Sequence, residues 1–287
     1  MDNQLLRTPE FITYASTQQS CDLAIQHGAT HIILEDPLLS IRSWHTEQYT
    51  SFSNLNFLIS YLKTTYPSII ISIQCDIIMH AKHESLIDSF ITFIHDQPID
   101  YIRVQDSGLL ILFNQKLSQI NCIFLQEMGN ANAESIQVYS RYSTRQSLSL
   151  DLPYKDIQLI QTKVSTSFDC LIQGKYLIQH SPRRFLAGLD PEVDSPEHIK
   201  SIHRIAQDED YPGRRFVFLD NPHGHFMFAY FDRSLANYIP ELISLNLSGW
   251  IIDARGESDD YLCRALSFYI SHYHSYMQSS NDWHVQE

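Results

Sequence analysis

Residues 179–188 read QHSPRRFLAG, with Arg183 and Arg184 behind a proline and just past an apolar run, FDCLIQG at 168–174. Two guanidiniums there suit fork-like recognition of a carboxylate or phosphate. Other polar side chains hold equivalent places, just after apolar runs: Glu35 and Asp36, Gln74 and Asp76, Asp106, Asn130 and Asn132. Arg145 and Ser149, then Arg255 and Glu257, complete the set, and His80, His223, His225 and Asp232 come from adjoining loops. Glu35, Asp76, His80 and Asp106 are the catalytic candidates. Asn130, Asn132, Arg145, Arg183, Arg184, His223, Asp232 and Arg255 are the candidates for holding an anionic ligand. Two readings stay open: the arginines converge on a ligand, or they pair with the carboxylates as rim salt bridges. Arg184 in particular has Asp190, Glu192 and Asp194 close in sequence.

His223, His225 and Asp232 also admit a metal reading, since alternating histidines on a strand point to one side. Beyond the two histidines no third ligand is firm and the HEXXH spacing is absent, so His223-Gly224 is read as a turn into HFMFAYF. No GxSxG elbow, GxGxxG fingerprint or phosphate-cradling loop occurs.

The elements that must position these residues follow from the apolar pattern. Strand-like runs occur at FITYA (11–15), THIILE (30–35), SIIISIQ (68–74) and DYIRV (100–104). Four more follow at NCIFLQ (121–126), RQSLSL (145–150), FDCLIQG (168–174) and GWIIDAR (249–255). Nearly all are separated by amphipathic stretches, and runs apolar on both faces are what a helix-covered parallel sheet requires. Eight such units predict an α/β fold, a closed TIM-type (β/α)8 barrel in one domain over 1–287, with a doubly wound open sheet as the alternative. Residues 175–231 break the pattern with Pro182, Pro191, Pro196, Pro212 and Pro222 and two β-like runs, RFVFLD and HFMFAYF. This stretch reads as an insertion over the C-terminal rim, where a barrel keeps its site.

Composition narrows the partners. The net charge of −13 argues against coating nucleic acid by bulk electrostatics, although 13 arginines stand against 7 lysines. The five cysteines, Cys21, Cys75, Cys122, Cys170 and Cys263, lie far apart and read as buried thiols, with neither a disulfide framework nor a metal site. No run of about 18 apolar residues predicts a membrane span. The N-terminal MDNQLLRTPEF lacks a signal-peptide pattern, which points to the cytoplasm.

Several segments together resemble the collagenase-like peptidase family U32. AIQHGATHIILE followed by Arg42 resembles its opening, which adds Arg42 to the anion-binding candidates. SIQCDIIMH resembles a segment ending in histidine, with Asp76 where asparagine is usual and His80 in register. VQDSG resembles its D-x-G turn, and STRQSLSLDLPYKDI matches at Arg145, Ser149 and Leu152. QGKYLIQHSPRRFLAG, PHGHFMFAYFDRSL and IIDARGESDDY resemble three later family segments in order. Longer members carry an iron–sulfur cluster on four cysteines, the first of which aligns with Arg184. No cysteine lies between Cys170 and Cys263, so the chain is expected to bind no cofactor itself. It resembles a short branch that accompanies a longer, cluster-bearing relative. The resemblance implies a part in oxygen-independent hydroxylation of the tRNA wobble uridine, with tRNA or a small carboxylate as ligand. A peptidase and a non-catalytic scaffold are the alternatives.

Overall fold

The computed structural model describes residues 7–44, 52–126, 129–186 and 202–282. Eight parallel strands close into the expected barrel: β1 (Glu10–Ala15), β2 (His31–Glu35), β3 (Ile70–Cys75), β4 (Tyr101–Val104), β5 (Asn121–Leu125), β6 (Arg145–Ser147), β7 (Ser167–Gly174) and, late in the chain, β13 (Gly249–Ile252). Pairing of β6 with β7 and of β13 with β1 completes the ring. The helices α1 (Gln18–Gln26), α2 (Ser53–Thr65), α3 (Glu84–Ile94), α4 (Ser107–Lys116), α5 (Ala133–Tyr139), α6 (Tyr154–Lys163), α7 (Ile239–Ser244) and α8 (Asp259–Asp282) lie outside.

Alternation along the strands explains two separate cores. Outward residues meet the helices: Phe11, Trp250 and Tyr273 stack edge-on with centroids 5.6–5.8 Å apart. Inward, Ile12, Tyr14, Ile33 and Ile251 form a small cluster of their own, with Leu171 against it. Most other inward side chains are polar, Ile123 and Leu125 of β5 excepted.

The insertion is a second sheet of four antiparallel strands, in the order β8 (Leu177–Ser181), β11 (Gly224–Ala229), β10 (Arg215–Asn221), β9 (Ile202–Gln207). The sequence predicts only β10 and β11, whose inward Val217, Leu219, Phe226 and Phe228 are buried. The strands β8 and β9 lie at the sheet edges and are mostly exposed, so they lack the apolar signal. A two-residue strand, β12 (Arg233–Ser234), then pairs with the end of β7. In RSLANYIPELISLN (233–246) the helix α7 covers only Ile239–Ser244, with Pro240 in its first turn after a 3-10 turn.

Candidate functional site

Three arginines of the barrel are committed to ion pairs. Arg255, just after β13, is held by Asp253 at 2.6 Å and by Glu35 at 2.7 Å, and its guanidinium lies 3.6 Å from the centroid of the Tyr14 ring. Glu35 also accepts the Ser40 hydroxyl at 2.5 Å. Burial alone would raise the Asp253 pKa, but the Arg255 charge and hydrogen bonds bring it below the usual range. Beside this plug a pocket of about 160 Å³ is lined by Tyr14, Glu35, Trp44, Arg255 and Gly256. Asp76, fully buried, accepts the Ile41 amide at 2.8 Å and the Gln74 amide at 3.0 Å.

Arg145 is not on the rim. It is the first residue of β6 and points into the N-terminal half of the barrel, where Glu10 lies at 2.6 Å and Asp169 is in direct contact. Arg103, fully enclosed, bridges Asp169 at 3.3 Å, Ser147 at 3.1 Å and Gln74 at 3.2 Å. Gly249 makes room for this: an added Cβ would collide with the Arg145 guanidinium and the Asp169 carboxylate. The expectation of a rim position fails because Arg145 opens RQSLSL (145–150), so it enters β6 at the N-terminal end of the barrel, and only Arg145–Ser147 pair. Burial would raise the Glu10 pKa, but the His31 hydrogen bond and the Arg145 charge take it down to about 2.

The same floor holds a serine–histidine–carboxylate relay that motif reading missed. Ser72 Oγ lies 2.6 Å from His31 Nε2, and His31 Nδ1 lies 2.9 Å from Glu10. The connectivity is that of a hydrolase triad. Ser72 and His31 are both 0% exposed, and Tyr101 stacks on the imidazole at 5.8 Å. A substrate carbonyl has no way in, so the relay satisfies buried polar groups.

The remaining candidates are dispersed. Asp106 and Asn132 are helix N-caps, accepting the Leu109 and Ser135 amides at 2.8 Å each. Asp106 also takes the Met79 amide at 3.2 Å. His80 is exposed and caps a 3-10 turn. Buried Asn130 donates to the Ser147 carbonyl at 3.0 Å. Asp232 accepts from Lys175 at 3.2 Å and from Tyr261.

His223 and Gly224 form the expected turn, with Gly224 at φ +131° where a Cβ would strike the Ser181–Pro182 backbone. His223 Nε2 donates to the Pro37 carbonyl at 2.6 Å, and Asn221 donates to those of Ile41 and Ser43 at 2.9 and 3.2 Å. These bonds fasten the lid to the loop after β2. His225 pairs with Asp220 inside the lid, flanked by Phe185 and Phe218. Arg42 is buried at the mouth, Arg183 is exposed and Arg184 is half-buried. Asp190, Glu192 and Asp194 lie outside the described residues, as does any pairing of Arg184 with them.

Donor sets for a metal are not assembled. Among the described residues no three His, Cys, Asp or Glu side chains stand together as a metal site. Cys21, Cys75, Cys122 and Cys170 are buried on separate elements, and burial pushes the Cys21 and Cys122 thiols up to about 12 and Cys170 to about 11. Such protonated, dispersed thiols do not fit a cubane cluster.

Comparison with known proteins agrees with the fold. A mutant tryptophan synthase alpha-subunit from Pyrococcus furiosus superposes with a TM-score of 0.53 at 10% identity, covering 91% of this chain and 98% of that one. Phosphoribosyl anthranilate isomerase from Thermotoga maritima gives 0.52 at 9% identity, covering 93% and 100%. At such identity they show the barrel alone. No curated protein matches the sequence. No helix among the described residues is long and apolar enough to cross a membrane. Residues 16–287 match Peptidase family U32 across the barrel and its lid, and the chain belongs to that family.

Proposed function

We propose that this U32 protein is a subunit of an oxygen-independent system that hydroxylates the wobble uridine of tRNA. It acts with a longer relative that carries the iron–sulfur cluster. The observation that supports this reading is the division of the arginines. Arg42, Arg103 and Arg145 are buried in the barrel and the Arg255 side chain is 8% exposed, whereas Arg183, Arg204, Arg214 and Arg215 face solvent on the lid, as Arg7, Arg141 and Arg264 do on the barrel. Exposed guanidiniums on the lid, Arg204 and Arg215 on opposite faces of its sheet, offer a phosphate backbone local contacts despite the chain's −13 charge.

Two of them lie on aromatic rings, Arg214 over Tyr211 at 4.6 Å and Arg215 over Tyr230 at 5.4 Å, and Phe231 beside them is 74% exposed. Flat aromatic and guanidinium faces suit unpaired bases, as in an RNA loop. Asp208, in the same hairpin, caps its own turn through the Asp210 amide at 3.0 Å and lies 3.8 Å from Arg214. The cysteines do not fit a cluster, so electron transfer falls to the partner, and this chain binds and positions RNA. Nucleoside mass spectrometry of tRNA from a deletion strain tests the reading. The wobble hydroxylation should be lost and restored by the wild-type chain. Unchanged modification in the deletion strain overturns it.

A further inference from the structure

Away from the ion-paired plug, a cleft of about 460 Å³ opens between lid strand β8 and the loops that follow β2, β3, β4 and β5. We propose that it binds a flat ring compound carrying one anionic arm, a ligand site in its own right that does not depend on the tRNA reading. The volume falls within the range of small-molecule sites. Its aliphatic walls come from both bodies: Ile41 and Ile78 from the barrel loops, Leu177 and Ile178 from the lid. A slot with apolar side chains on two opposed elements favours a thin, apolar-faced ligand. Ile78 and Ile178 are 43% and 40% exposed, as wall residues of an accessible cleft are.

The polar lining gives the rest of the chemistry. Gln105, Gln126 and Gln179 each bring a donor and an acceptor, suited to ring carbonyl and N–H groups. Gly129 allows Gln126 to lie along the wall, since a Cβ there would stand 2.9 Å from Gln126 Cδ and 3.0 Å from its Cβ. Arg42 supplies the cation; its charge also acts on Asp253 and Tyr14, and five N–H donors let one guanidinium serve two partners. His180 is kept below its usual pKa by burial, against the pull of its hydrogen bond to the His223 carbonyl, with Arg42 and His223 adding to the lowering. It therefore lines the cleft as a neutral imidazole. None of the described lining residues is acidic.

A nucleotide with its phosphate and a free aromatic carboxylate share this chemistry. Calorimetric titration of the full chain with uridine 5′-monophosphate and with benzoate separates them, with uridine and benzamide as the uncharged counterparts. At least one anion should bind saturably, about tenfold more tightly than its uncharged counterpart, a gain of the size of one charged hydrogen bond. Binding of the phosphate alone assigns a nucleotide, and binding of the benzoate alone assigns a free acid. Arg42→Gln should erase the anion's advantage while leaving the uncharged counterpart's affinity unchanged. Ile178→Trp, on an exposed wall position, should block both without lowering the melting temperature, and it decides the matter if Arg42→Gln does not fold. Failure of both anions to saturate overturns the proposal, as does binding that survives Ile178→Trp.

Discussion

Replacing Arg145 with methionine separates a structural arginine from a ligand-binding one. The side chain is 3% exposed and contacts Glu10 and Asp169, with Arg103 as the other cation on Asp169. Removing one partner of a buried pair leaves a charge stranded and costs about 3–5 kcal/mol. For a chain of this size that lowers the melting temperature by about 10 °C. Acid adds a second signature. The folded pKa of Glu10 lies at about 2 against an ordinary 4.5, so its contribution is complete above about 4.5 and lost as pH falls through about 2. That contribution is roughly 3 kcal/mol in the wild type. Without the Arg145 charge the Glu10 pKa rises, and acid unfolding should begin at higher pH. Scanning calorimetry from pH 7 down to pH 2 checks both effects. A variant with wild-type melting temperature and acid profile refutes the reasoning and returns Arg145 to the ligand-binding set.

Other outcomes follow from the same geometry. A fluorophosphonate probe should leave Ser72 unlabelled because the Ser72–His31–Glu10 relay is sealed; labelling abolished by Ser72→Ala contradicts that. Asp36, raised to about 6 chiefly by burial, destabilises the fold as pH climbs from 3.8 through 6, so Asp36→Asn should gain about 3 kcal/mol at pH 8 and little at pH 4, read by urea unfolding. Gly224→Ala should loosen the lid, since its φ of +131° and the nearby Ser181–Pro182 backbone leave a Cβ no space, and limited proteolysis should cut residues 177–229 faster. Protein purified without oxygen should be colourless and iron-free; a stoichiometric iron–sulfur absorption band contradicts the reading of the cysteines.

The barrel was legible because its outward strand faces and its helices carry unbroken apolar patterns. The lid was half legible: β10 and β11 bury alternate residues, whereas β8 and β9 pair mainly through backbone and leave Ile178 and Ile205 in solvent. The rim carboxylates and Arg255 stand at or just after the ends of their strands, but whether they pair with each other depends on distances that no spacing encodes. Glu10, His31, Ser72, Arg103 and Asp169 escaped notice for another reason. Ser72, Arg103 and Asp169 are lone polar residues in apolar runs, Glu10 and His31 stand at the starts of theirs, and only the barrel's closure brings them together. Inward polar alternation across several strands was the available signal.

The direct test of the division between interior and lid arginines is tRNA binding by fluorescence anisotropy, for wild type, the double substitution Arg204→Gln with Arg215→Gln, and Arg183→Ala. The lid variants should bind about tenfold or more weakly, with a shallower dependence on salt and an unchanged melting temperature. Undiminished tRNA affinity in these variants would contradict the account.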